Sequence, residues 1–104
     1  MLSTSVRQIL MKITWDANKN RINKSRHRLS FETAQHVFDD PLHVTRQDRV
    51  ENGESRWQTL GRVGGVMLLL VVHSLTESDG EETIHIISAR KADRSERRVY
   101  EQGS

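Results

Sequence analysis

The chain has 104 residues and no cysteine, which excludes disulfides and thiolate zinc sites and suits one domain built on a single core. Hydrophobic residues make up 35% and charged residues 29%, wetter than an average globular chain, so a thin core and much partner-facing surface are expected. The net charge of +2 hides an asymmetry: residues 1–28 hold seven Lys/Arg against one acid, 29–89 four against ten, and 90–104 five against three.

The first ten residues, MLSTSVRQIL, have one Arg, a very short apolar part and no small-residue cleavage site, so no secretory signal is expected. Residues 1–11 are expected to form a flexible extension ahead of a single domain at 12–104. "KITW" (12–15) reads as a short strand, and Asp16 suits the N-cap of a helix through "ANKNRINKSRH". Ser30 is a second N-cap, followed by Phe31, Ala34, Val37 and Phe38 on one apolar stripe. Pro41 ends that helix by disfavouring helical geometry at Asp40.

The period then changes to two. "LHVT" (42–45) alternates, and "RQDRVENGES" (46–55) is polar with a turn signal at Asn52-Gly53. "RWQTLGRV" (56–63) is the next strand, and Gly64-Gly65 turns it into "VMLLLVVH" (66–73). Apolar on consecutive positions, that run should be a central strand covered on both faces. Its apolar part is far short of the roughly 20 residues that a membrane-spanning helix needs. "SLTESDGEET" (74–83) reads as an exposed acidic loop and "IHIISAR" (84–90) as the last strand. Asp93 and Glu96 form a D-x-x-E cap that opens a C-terminal helix through Tyr100. The fold expected is α+β, an antiparallel sheet of four to five strands with two N-terminal helices and a C-terminal helix.

"ITWDANKNRINKSRHRLSFETAQHVFDDP" resembles the pattern W-D-x-x-K-x-x-x-N-x-x-K-H-x-x-S-F-x-x-A-x-x-V-F-x-D-P. "GESRWQTLGR" and "IHIISARKADRSERRVYE" continue it at the expected distances, so nearly the whole chain, about residues 12–101, is similar to the BrnT toxins. The sequence departs from the pattern at Arg26-His27-Arg28, where the family's usual glycine is missing. The resemblance implies a RelE-like fold and a ribonuclease that arrests translation. It also implies inhibition by a BrnA-type antitoxin with a ribbon-helix-helix region, operator DNA being met only through the toxin–antitoxin complex. A cytoplasmic setting and no membrane partner are expected.

Metal-free RNA cleavage needs a base for the 2′-OH, an acid for the 5′-leaving oxygen, and cations on the phosphate oxygens. No His or carboxylate cluster in the sequence has metal-ligand spacing, so no cofactor is expected and Arg must supply the positive field. Alternation puts Arg56, Gln58, Leu60 and Arg62 on one strand face, and Ile84, Ile86, Ser88 and Arg90 on another. Arg62 and Arg90, with a head free to reach a groove, are candidate phosphate stabilisers, and Tyr100 would position substrate. His27, near a helix end in a basic run, or Glu54 is the best available proton carrier; His36 and His43 have no special context. Arg56, Lys91, Arg94, Arg97 and Arg98 are candidate RNA-binding residues, though the last three could instead pair with Asp93, Glu96 and Glu101. A basic nucleic-acid-binding module without catalysis, or a partner-binding protein, is the alternative.

Overall fold

The computed structural model describes residues 10–103; the expected extension at 1–11 lies outside these except for Leu10 and Met11, which already belong to the first strand. That strand, β1 (Leu10–Trp15), runs into α1 (Ala17–His27), whose N-cap Asp16 accepts from the Lys19 N–H at 2.9 Å. The helix closes at Arg28 in the left-handed region (φ 56°), its N–H bonded to the Lys24 carbonyl. An arginine thus does here what glycine does more easily. Ser30 caps α2 (Phe31–Ala34), which tightens at once into a 3-10 turn over Gln35–Asp39.

Four antiparallel-linked strands follow: β2 (Val44–Glu51), β3 (Glu54–Val63), β4 (Met67–Ser78) and β5 (Glu81–Lys91). Asp93 then caps α3 (Arg94–Gln102) in a reciprocal capping box with Glu96. The five strands lie in the order β1-β5-β4-β3-β2, and β1 runs parallel to β5, so the sheet is mixed and not antiparallel. The direction of β1 follows from what comes next. Helix α1 starts two residues after Trp15 and packs on the C-terminal half of β5, so β1 must arrive beside Ile86 running the same way.

The strands also run further than the polar sequence around them suggests. Residues 46–51 pair as an edge strand, and β4 and β5 continue to a tight turn at Asp79-Gly80, so no acidic loop spans 74–83. Strand β4 is central. Leu69 and Val71 point to the face covered by α1, α2 and the 3-10 turn, and Leu68 and Leu70 to the face covered by α3. Between Ile86 and Ser88 the β4–β5 register shifts by one residue. Ile84, Ile86 and Ala89 therefore share the first core, while Ser88 and Arg90 turn to the other face and do not share one with Ile84 and Ile86.

Candidate active site

A cleft of about 770 Å³ opens where the end of β3 meets the chain leaving the 3-10 turn and the last turn of α3. Asp40 organises it. Its Oδ2 accepts from the Tyr100 hydroxyl at 2.6 Å and from the Arg62 backbone N–H at 2.8 Å, and its Oδ1 accepts from the Leu42 N–H at 2.9 Å. Partial burial pushes the Asp40 carboxyl upward. The bonds from Tyr100, Arg62 and Leu42 outweigh it and hold the group below its ordinary value, ionised at neutral pH. Burial, and then the Asp40 carboxylate, raise the Tyr100 hydroxyl, which stays a proton donor.

The Arg62 guanidinium lies over the Tyr100 ring, 5.3 Å from its centroid, and makes no ion pair among the described residues. The side chain also bonds toward the Tyr100 hydroxyl, and its remaining donors are open to an anion in the cleft. Tyr100 itself is buried with Leu60, Leu68 and Leu70, so the ring is anchored while its edge borders the opening. His36 lines the same cleft from the 3-10 turn. Its Nδ1 meets Asp39 Oδ2 at 2.9 Å, and because a carboxylate only accepts, Nδ1 carries the proton and Nε2 is the acceptor when the ring is neutral.

The structure therefore brings together two of the sequence-stated candidates, Arg62 and Tyr100. The others lie elsewhere. Arg90 is clamped by Glu96, Nη1 to Oε1 at 2.9 Å and Nη2 to Oε2 at 2.8 Å, so its head is engaged and not free. Glu96 is itself buried, and the Arg90 bond, partly opposed by desolvation, lowers its carboxyl. This pair locks the start of α3 to the end of β5. Glu54 and Arg56 contact each other beside the β2–β3 hairpin. His27 and Arg26 line a groove of about 320 Å³ between α1 and β5.

Lys91 and Arg97 border a groove of about 220 Å³ beside Val66 and Met67, and Arg94 and Arg98 are exposed on α3. None of these four makes an ion pair within 4.0 Å among the described residues, so the helical pairing with Asp93, Glu96 and Glu101 does not form. Asp40 and His36 are the cleft residues that sequence reasoning misses. The D-P step marks Asp40 as a helix end, and nothing local marks it as an anchor.

Three features could together handle a phosphodiester: a cation outside any ion pair, a held hydroxyl, and an imidazole with an open nitrogen. Among the described residues no three His, Asp or Glu are grouped to hold a metal ion. Residues 15–96 match the family model described as the ribonuclease toxin BrnT of type II toxin–antitoxin systems. The chain superposes on the crystal structure of the Brucella abortus ribonuclease toxin BrnT with a TM-score of 0.56 at 22% identity, covering 81% of this chain and 99% of that one. No curated protein matches by sequence.

Proposed function

The chain belongs to the BrnT family of type II ribonuclease toxins, and on that premise we propose that it cuts RNA in the Arg62–Tyr100 cleft without a metal ion. The observation that carries this reading is the Asp40 clamp, which holds an aromatic hydroxyl and a cation-bearing strand end in one cleft. In the reaction the 2′-OH attacks the adjacent phosphorus, the bond to O5′ breaks, and a 2′,3′-cyclic phosphate and a 5′-OH end form. Arg62 faces the non-bridging oxygens, where charge builds. Tyr100 orients the nucleotide. His36, steadied by Asp39 through Nδ1, takes the 2′-OH proton at Nε2 and can return one to O5′.

Arg90 supports the site through Glu96, which fixes the helix that carries Tyr100. The exposed Lys91, Arg94, Arg97 and Arg98 attract the RNA backbone from outside the cleft. The partner in this reading is a BrnA-type antitoxin, operator DNA is contacted only through their complex, and the setting is the cytoplasm. No helix among the described residues is long and apolar enough to cross a membrane.

The test is end-labelled RNA incubated in EDTA with the wild type, Arg62→Ala and His36→Ala. Cleavage in chelator is expected, with a loss of about 10²–10³ in rate for Arg62→Ala. For His36→Ala, a loss of cleavage with the fold retained is expected. Abolition by EDTA would overturn the metal-free step, and full activity of Arg62→Ala would remove the cleft from the reaction.

A further inference from the structure

The sheet outruns the layer that covers it. Strand β4 has 12 residues, roughly 40 Å at the usual rise, and the helical layer reaches only as far as Phe38, edge-on to His73 at 5.2 Å. Beyond that row the same face forms a groove of about 350 Å³, lined by apolar Met11, Phe38, Leu75 and Ile84 together with Glu82. Met11 is 50% exposed and Leu75 36%, and neither a helix nor a loop of the described residues covers them.

Apart from the imidazoles of His43 and His73, which also line it, its charge has one sign. Register places Met11, Glu82 and Glu77 in one row across β1, β5 and β4, and the turn beyond adds Asp79 and Glu81. No Lys or Arg lines the groove, and Lys12, paired with Thr83, faces the opposite side of the sheet. On the neighbouring hairpin, Arg49 lies 3.5 Å from Glu51. The groove runs from His73 at mid-β4 toward the β4–β5 turn, whereas the Arg62 cleft sits at the β3–β4 turn; the segment 38–43 borders both.

An apolar stripe with an acidic border fits an amphipathic helix whose polar face is cationic. We propose that this groove docks a cationic amphipathic helix of a protein partner, at a site separate from the Arg62 cleft. The identity of that partner as the antitoxin rests on the type II reading above; the groove's chemistry does not. A two-fold pairing of this chain through the groove would bring two acidic borders into one interface, so a second copy is the poorer occupant.

The probe is a Leu/Lys peptide of about 18 residues, roughly five helical turns with leucine on one face, beside a Leu/Glu counterpart. Amide NMR of the full chain maps where each binds. Leu/Lys shifts are expected around Met11, Leu75 and Glu82, and affinity should fall about tenfold or more in Glu77→Lys/Glu82→Lys and, separately, in Leu75→Ser. Both variants keep wild-type RNA cleavage, and Arg62→Ala keeps peptide binding.

Unchanged affinity in both groove variants overturns the proposal, as does Leu/Lys binding on α3 or equal binding of the Leu/Glu peptide at the groove. Binding that appears only after removal of residues 1–9 assigns the groove to this chain's own segment, and peptide-blocked self-association assigns it to a second copy; either overturns it. Failure of the wild type to cut RNA, with groove-dependent peptide binding intact, would sink the ribonuclease reading alone.

Discussion

Gly61 sits in β3 directly beneath the 3-10 turn, and its replacement by alanine should damage the cleft from below. A Cβ there would lie 2.7 Å from the Val37 carbonyl oxygen, 2.8 Å from Val37 Cβ and 3.0 Å from Val37 Cα. Two of these three atoms are backbone, and Val37 is fully buried, so the turn cannot yield by rotating a side chain. Overpacking of this kind costs about 1–3 kcal/mol. At about 4–8 °C per kcal/mol for a domain near this size, Gly61→Ala should lower Tm by on the order of 5–20 °C. The crowded oxygen is also the acceptor for the Asp40 N–H at 3.2 Å, so relieving the clash moves the residue that holds Tyr100 and Arg62. Circular-dichroism melting and RNA cleavage below the variant's Tm measure the two effects separately, and both should fall. Adding Val37→Ala removes only the two Cγ methyls and none of the three crowded atoms, so it should restore little. A Gly61→Ala protein with wild-type Tm and wild-type cleavage would refute this account of how the turn is held.

Tyr100→Phe deletes the hydroxyl that Asp40 accepts, and denaturant unfolding near neutral pH should show a loss of about 1 kcal/mol, with slower cleavage. Because that bond favours ionised Asp40, the stability gap to wild type should narrow in acid. Asp40, Asp93 and Glu96 all have carboxyls lowered in the folded state. Their contribution is present above the unfolded carboxylate values near about 4 and is lost as pH falls through the lowered folded ones. Melting should therefore weaken steeply below about pH 4, and less steeply in Glu96→Gln. Arg90→Ala leaves a buried Glu96 without its clamp and should cost about 1–3 kcal/mol, the low end being favoured because the Arg90 side chain is 41% exposed. Arg90→Ala/Glu96→Gln should be less destabilised than the sum of the two single changes in the same unfolding assay.

Capping and turn chemistry is local, and it is legible. Asp16, Ser30 and Asp93 each bond an N–H within three residues, so the three helix starts stand out from the sequence, as does the turn at Asn52-Gly53. The apolar run around Leu69 likewise identifies the central strand. What escapes is set at a distance. The parallel pairing of β1 depends on β5, with Thr14 bonded to His85 across 71 positions. Asp40 acquires its role only from Arg62 and Tyr100, 22 and 60 residues further on. Arg90 escapes for another reason: Glu96 is six positions away, outside the helical spacings by which ion pairs are recognised, and reaches it only because the strand turns into a helix between them. The extra residue at Ile87 inverts every facing after it, which alternation alone cannot anticipate.

The join between Asp40 and Tyr100 also bears on the order in which the protein comes into being. A chain emerging from the ribosome folds from its N-terminal side first, and the β2–β3 and β3–β4 hairpins need only near neighbours. The cleft needs α3, which follows every strand, and β1 has no partner until β5 exists. A growing chain can thus hold most of its hairpins while lacking the hydroxyl that closes the site. On the ribonuclease reading, the newborn toxin is harmless to the ribosome that is making it until synthesis has passed Tyr100.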